Sequence, residues 1–297
     1  MARAFPSDVL HIDTDTLLFA RFQRRKRPTI LSARTYTLGP DTFKAGQVTP
    51  ALTNPEALKT TIERVKREQG KLTDVCVLLP DPWFRINLVE VPDLPDKKAD
   101  GDEVIRWTLK KTLPIRPEEL RIAYQSVGRG ESGVRVLVVA ALEKTMAAIE
   151  ATLSAAGLNV VMIEPAGLNL WNRVAAEQEA SANRLFFYLR EHDFTTAAFQ
   201  GADPLFIRSR SIADDQSLQQ AIRLSASYMK SNLGSLKIES CHIAGNGLRP
   251  EISQLITSEF DAPARRVSLN DFADFPASSD LSPIEAELMA CSGVFTA

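Results

Sequence analysis

The stretch Val75–Pro95, VCVLLPDPWFRINLVEVPDLP, followed by Glu103–Pro117, EVIRWTLKKTLPIRP, decides the fold. An apolar run ends at Pro80, a second one ends at Pro92 and Pro95, and Asp81-Pro82-Trp83 lies between them. Proline lacks an amide donor and fixes φ, so these positions mark where strands stop. An amphipathic pattern then runs to Leu113-Pro114. The order predicts a strand, a crossing, a second strand and a helix, as if a small unit were spliced into a larger one. The splice continues with a helix over 102–113, strands over 120–127 and 134–141, and a turn at Gly128–Gly133, GRGESG. Glycines at both ends suit a hairpin tip.

Outward from the splice, the chain uses one grammar twice. Before it come strands over 8–13, 17–22 and 30–38, a helix after Asn54-Pro55, and a strand over 74–79. Asn54 is placed to cap that helix and Pro55 to open it; Leu58, Ile62 and Val65 fall at helical spacing and Gly70 stops it. After the splice come a helix over 143–156, a strand over 158–163 and a helix over 165–176. The second half repeats this pattern: strands over 184–190, 195–200 and 205–209, a long helix from Asp214-Asp215 to Asn232, a strand over 238–244, a helix over 249–260, a short strand over 265–268 and a last helix over 283–292. The expected organisation is α/β: a first domain over 1–180 interrupted by an inserted unit over 83–141, and a second domain over 181–297. Mixed sheets covered by helices follow from the alternation.

A chain of 297 residues, 44% hydrophobic and 24% charged, is globular and long enough for two cores. Its net charge of −2 gives no electrostatic reason to expect nucleic acid. The basic run Arg24-Arg25-Lys26-Arg27 reads as a solvated hairpin tip, with an anionic surface as the alternative. Cys76, Cys241 and Cys291 are widely spaced, which suits a reducing compartment rather than a disulfide framework. No segment is apolar over the length a bilayer requires, so a cytoplasmic location is expected.

The splice resembles the PilM family, actin-like cytoplasmic proteins of type IV pilus assembly. The likeness rests on the apolar strand ending in Pro80, the strand closing on Leu94-Pro95, and the helix with Trp107 before Leu113-Pro114. It extends through Ala156-Gly157-Leu158 and Glu164-Pro165. It implies a duplicated ribonuclease-H-like, actin-like fold with an inserted strand-helix-strand-strand unit. It also implies a non-enzymatic scaffold, peripheral to the inner membrane, that docks the cytoplasmic tail of a membrane-anchored PilN-like partner, with self-association as a further option. A GspL-like secretion module is a neighbouring reading, and an actin-like ATP-binding protein or kinase with weak ATPase activity is the alternative.

Actin-like nucleotide binders place an Asp-x-Gly turn after the first strand of each half, where glycine lets the backbone approach phosphate. Here the first turn is Asp13-Thr14-Asp15, with Asp15 where glycine belongs, and the second is Leu189–Asp193, LREHD, with no glycine. Only the third loop keeps glycines, Gly245 and Gly247. The nucleotide loops therefore read as degenerate. No cofactor is expected, with weak ATP binding left open because Asp13, Asp15 and Glu164 could form a metal-assisted acidic site. For the partner peptide, the groove where the chain leaves and re-enters the first half is the expected site. Trp83 and Phe84 would anchor apolar side chains, Asp81 and Arg85 polar ones, and Ala140 would border the return.

Overall fold

The computed structural model describes residues 5–44, 49–111, 113, 115–176, 182–201, 203–234, 236–245, 249–276 and 281–295. The first half opens with β1 (Asp8–Ile12), β2 (Thr16–Gln23) and β3 (Thr29–Thr37), then a short hairpin of β4 (Phe43–Lys44) and β5 (Ala51–Leu52). Helix α1 (Pro55–Gln69) and strand β6 (Asp74–Leu79) follow. The Asn54 side chain accepts from the Ala57 N–H at 3.1 Å, so the capping residue read from sequence does cap. A 3-10 turn over Asp81–Trp83 leads into β7 (Arg85–Val91), α2 (Lys98–Lys110), β8 (Leu120–Arg129) and β9 (Val134–Leu142). The chain then returns through α3 (Glu143–Ala155), β10 (Asn159–Pro165) and α4 (Ala166–Ala176).

The second half runs β11 (Asn183–Leu189), β12 (Asp193–Gln200), β13 (Asp203–Ser211), α5 (Asp215–Asn232), β14 (Ser240–Ala244), α6 (Pro250–Phe260), β15 (Ala264–Arg266) and α7 (Glu285–Gly293). The two principal sheets have matching orders, β3-β2-β1-β6-β10 and β13-β12-β11-β14-β15. In each, the first strand pairs antiparallel with the second and parallel with the strand after the long helix. The duplication legible in the sequence is thus a duplication of topology.

Two cores lie under these sheets and a third lies between them. Leu10, Ile12 and Phe19 of the first sheet pack on Leu58, Ile62 and Ile149 of α1 and α3. Leu185, Phe187 and Ile243 of the second sheet pack on Ile222 of α5 and Ile256 of α6. The central core joins the halves: Val9, Leu78 and Leu170 meet Phe186, Tyr188 and Met289, all buried. Trp171 of α4 stacks on Phe199 of β12 with ring centroids 3.4 Å apart. The basic hairpin tip adds a polar seam, since Arg27 pairs with Asp274 at 2.8 Å and the Ile30 N–H donates to the Asp274 carbonyl at 2.8 Å.

The spliced segment forms its own three-stranded sheet, ordered β7-β9-β8, with Ile105 and Leu109 of α2 packed on Val136 and Val138. Thr49 stitches its exit to its return. Its buried hydroxyl donates to the Trp83 carbonyl at 2.8 Å and accepts from the Leu142 N–H at 3.0 Å. All three cysteines are buried. Burial pushes the Cys76 and Cys241 thiols up to about 12, which leaves them as small apolar side chains.

Candidate functional site

The two turns that would carry phosphate loops face one another across the junction of the halves. They are built alike: the Asp13 N–H donates to the Thr16 carbonyl at 2.8 Å, and the Arg190 N–H to the Asp193 carbonyl at 2.8 Å. Asp13 and Arg190 are each the first residue after their strand, and they carry opposite charges. The Arg190 guanidinium reaches across the junction and donates to Asp13 Oδ2. It also donates to Asp193 Oδ2 at 3.2 Å and lies 3.7 Å from Glu287 Oε1 of α7.

Arg190 is 9% exposed, so this cation is held by carboxylates rather than by water. Burial works against its charge, but Asp193, Tyr188, Asp13 and Glu287 outweigh that and hold its pKa well above the ordinary value. Burial likewise opposes ionisation of Asp13, yet Arg190, His11 and the Thr14 N–H keep its carboxyl below the usual range. One guanidinium cannot neutralise three carboxylates, and burial pushes Asp193 up to about 7 against the pull of Arg190. The arrangement is an ion cluster built by the protein itself, with the Arg190 side chain lying between the two turns.

The remaining loop residues separate. Asp15 is exposed, and its backbone carbonyl accepts from the Leu38 N–H at 2.7 Å. Glu164 accepts from Asn169 Nδ2 at 2.6 Å, and burial raises its pKa against that bond. Asp13, Asp15 and Glu164 do not gather, and among the described residues no cluster of three His, Cys, Asp or Glu side chains could hold a metal. The acidic site that these three residues could form by sequence is not assembled here. Gly245 has φ +122°, and a Cβ there would sit 1.8 Å from the Leu189 carbonyl, so the second turn itself requires this glycine. Gly247 lies outside the described residues.

The expected peptide anchors are also corrected. Trp83 and Phe84 are 4% and 5% exposed and belong to the first-half core, with the Trp83 ring 4.8 Å from that of Phe43. Their apolar area is worth more buried in that core than held out for a ligand. Ala140 is fully buried under α2. Asp81, also buried, accepts from the Gly167 N–H at 2.7 Å and from the Thr195 hydroxyl at 2.5 Å. Burial raises its pKa against those two donors. A Cβ at 167 would sit 2.0 Å from Asp81 Oδ2, so glycine there admits the carboxylate to the start of α4. Asp81 thereby ties the crossing, α4 and β12 together. Only Arg85, half-buried, and one edge of Phe84 reach a groove.

Among the described residues, two grooves lie where the inserted sheet meets other parts of the chain. One, about 390 Å³, lies where three parts of the chain meet: Leu137 and Val139 of β9, Ile163 and Leu168 from β10 and α4, and Phe199 and Ile207 from β12 and β13. Its lining is mostly apolar, and five of these six side chains are half-buried. The other, about 770 Å³, lies between β7 and β13 and is lined by polar and basic groups.

No family model and no curated protein matches the chain in sequence. Solved structures do match. A chain of the PilM-PilN type IV pilus biogenesis complex aligns with TM-score 0.79 at 19% identity, covering 96% of both chains. The fold is actin-like, in its PilM-like form. A Bacteroides thetaiotaomicron protein with actin-like ATPase fold and unknown function aligns at 0.54 and 10% identity over 96% of this chain and 95% of its own. The cytoplasmic domain of EpsL, an inner membrane component of the type II secretion system of Vibrio cholerae, aligns at 0.51 and 14% identity over 85% and 93%.

Sequence reading missed the Arg190 cluster, although the signal was present. Superposing the two grammars places Arg190 opposite Asp13, and a charge of opposite sign at the matching turn is what a built-in pair requires. His242 of β14 is 3% exposed, with Ser240 Oγ 3.2 Å from its Nε2. Burial, with Arg184 and Arg265, lowers its pKa from 6.5 to about 4. The unfolded chain therefore takes up this proton first, and stability is lost as pH falls from 6.5 towards 4. Replacing His242 by Gln should remove up to about 3 kcal/mol of that loss. Urea melts at pH 7 and pH 4.5 check it: the variant should gain on the parent only at the lower pH.

Proposed function

We propose that this chain is a non-enzymatic scaffold of a type IV pilus or related secretion assembly, docking the cytoplasmic peptide of a membrane-anchored, PilN-like partner. The observation that carries the reading is the apolar groove under the inserted sheet, in a chain that shares its fold with a member of the PilM-PilN complex over 96% of its length. A mostly apolar, concave site with a few polar groups, set between packed units, is where an extended peptide gains most. Among the described residues, no helix is long and apolar enough to cross a membrane. A partner would therefore supply the attachment to the inner membrane. Leu137→Arg and Leu168→Arg put a charge into the groove. Each should abolish capture of the cytoplasmic segment of a PilN-like protein from the same genome, with the melting temperature held within a few degrees. Full capture by both soluble variants would overturn the reading.

The second element of the proposal is that the nucleotide site is degenerate. Arg190 and its carboxylates occupy the junction between the two turns, and a phosphate chain brought there would displace an ion cluster built into the protein. Asp15, in the position of a phosphate-loop glycine, adds a like charge at the rim. Titration with ATP and magnesium at millimolar concentration should release no heat beyond dilution. Saturable micromolar binding would restore the ATP-binding alternative.

A further inference from the structure

The apolar groove beside the inserted sheet has one charged side chain among its described lining residues, Glu164 at the end of β10. Its Oε2 accepts from Asn169 Nδ2 at 2.6 Å, and no cation pairs with it among the described residues. Asn169 is itself 3% exposed and donates also to the Pro165 carbonyl at 3.2 Å, so the amide is fixed. Burial opposes ionisation of Glu164 more than this one bond favours it. A carboxylate is not needed for the bond. The amide oxygen of a glutamine would accept the same proton without bringing a charge into a half-buried position. The start of α4, two residues on, favours an anion, but there the Gly167 N–H already serves Asp81. What a carboxylate adds over an amide is a strong bond to a cation, and in an apolar groove that bond gains more than at an open surface.

We propose that the peptide received by this groove carries a lysine or arginine side chain, flanked by apolar residues, that pairs with Glu164. This rests on the scaffold reading and adds to it the chemistry of the partner. Charge complementarity sets the sign of the occupant. Asn169 holds Oε2 and leaves Oε1 to the incoming cation. The apolar flanks follow from the rest of the lining: Leu137 and Val139 from β9, Ile163 and Leu168 from the first half, Phe199 and Ile207 from the second. Apolar surface from all three parts of the chain accompanies a single carboxylate. The partner's cation is therefore one side chain within an apolar segment and not part of a basic tract. The same carboxylate selects against other segments, because an acidic one is repelled and a purely apolar one leaves the charge unpaired. A group that destabilises the free protein while serving its ligand is the ordinary condition of a binding site.

The probe is a labelled synthetic peptide of the cytoplasmic segment of a PilN-like protein from the same genome, titrated with the full chain and followed by fluorescence anisotropy. Glu164→Gln should weaken binding at least about tenfold, while the melting temperature stays level or rises because a half-buried charge goes and the Asn169 bond stays. A merely structural role would move the two readouts the other way. Changing one particular lysine or arginine of the peptide to Gln should weaken binding to the parent by a similar factor and have no further effect on Glu164→Gln. Glu at that peptide position should restore binding to Glu164→Lys. Leu137→Arg should abolish binding of the unchanged peptide through the groove itself. Failure of the parent to bind the peptide would overturn the scaffold reading together with this proposal. If the parent binds and Leu137→Arg does not, equal affinity of Glu164→Gln and the parent would overturn this proposal alone. So would loss of the Glu164-dependent binding on acetylating the peptide's amino terminus, with every side-chain change tolerated.

Discussion

Replacing Arg190 by Met is expected to destabilise the protein by about 3–5 kcal/mol, among the largest effects of any single change outside the apolar core. The magnitude follows from what is left behind. Asp13, Asp193 and Glu287 would face one another in a nearly dry junction with no cation between them. Met fills much of the same volume, so the loss reports charge and not a cavity. Arg190→Lys should recover only part of it, because one ammonium cannot extend a planar fork towards three carboxylates at once. Asp13→Asn should cost less than Arg190→Met, since Asp193 and Glu287 still accompany the guanidinium. In a double-mutant cycle the Asp13 and Arg190 changes should couple by more than about 1 kcal/mol. The pair joins the first half to the second, so Arg190→Met should also speed hydrogen exchange at both turns, 12–16 and 189–193. A variant that unfolds at the parent's denaturant concentration would show that the cluster contributes nothing net, and the argument for a self-occupied junction would fall with it.

What the sequence made legible was the part of the fold written in local chemistry. Pro80, Pro82, Pro92 and Pro95 mark strand ends because proline removes a donor wherever it stands. Asn54-Pro55 and Gly70 mark the limits of α1 because caps act within a turn of the helix. Two repeats of the same element order then pointed to a duplicated α/β fold, and the resemblance of the splice to a known family implied its actin-like form. Pairwise relations across the halves were less visible. Asp13 and Arg190 are 177 residues apart, and Asp81 and Thr195 are 114 apart. No spacing rule connects such pairs until the sheets are laid side by side. The direction in which a proline-framed crossing turns its side chains was hidden for the same reason. Trp83 in a loop-like segment reads as available, yet the 3-10 turn over Asp81–Trp83 rotates it inward onto Phe43. The short β4-β5 hairpin, two residues to a strand, carries too little pattern to be read at all.

That inward rotation sets the second large expectation. Trp83→Ala should cost about 3–5 kcal/mol and lower the melting temperature by many degrees, as a large aromatic side chain removed from a packed core does. The Trp83 carbonyl also receives the Thr49 hydroxyl, which in turn accepts from the Leu142 N–H, so loosening this residue frees both connections to the inserted sheet. Trp107 supplies the control. It is 64% exposed on α2 with Lys111 Nζ 3.3 Å from its ring centroid, and Trp107→Ala should change stability by no more than about 0.5 kcal/mol. The comparison separates two explanations for any loss of partner capture. If Trp83 merely supports the groove, Trp83→Ala loses capture in proportion to its loss of folded protein, and Trp83→Phe recovers both together. Leu137→Arg, by contrast, loses capture while the fold persists. A Trp83→Ala protein that melts like its parent and still fails to bind would return Trp83 to the binding surface.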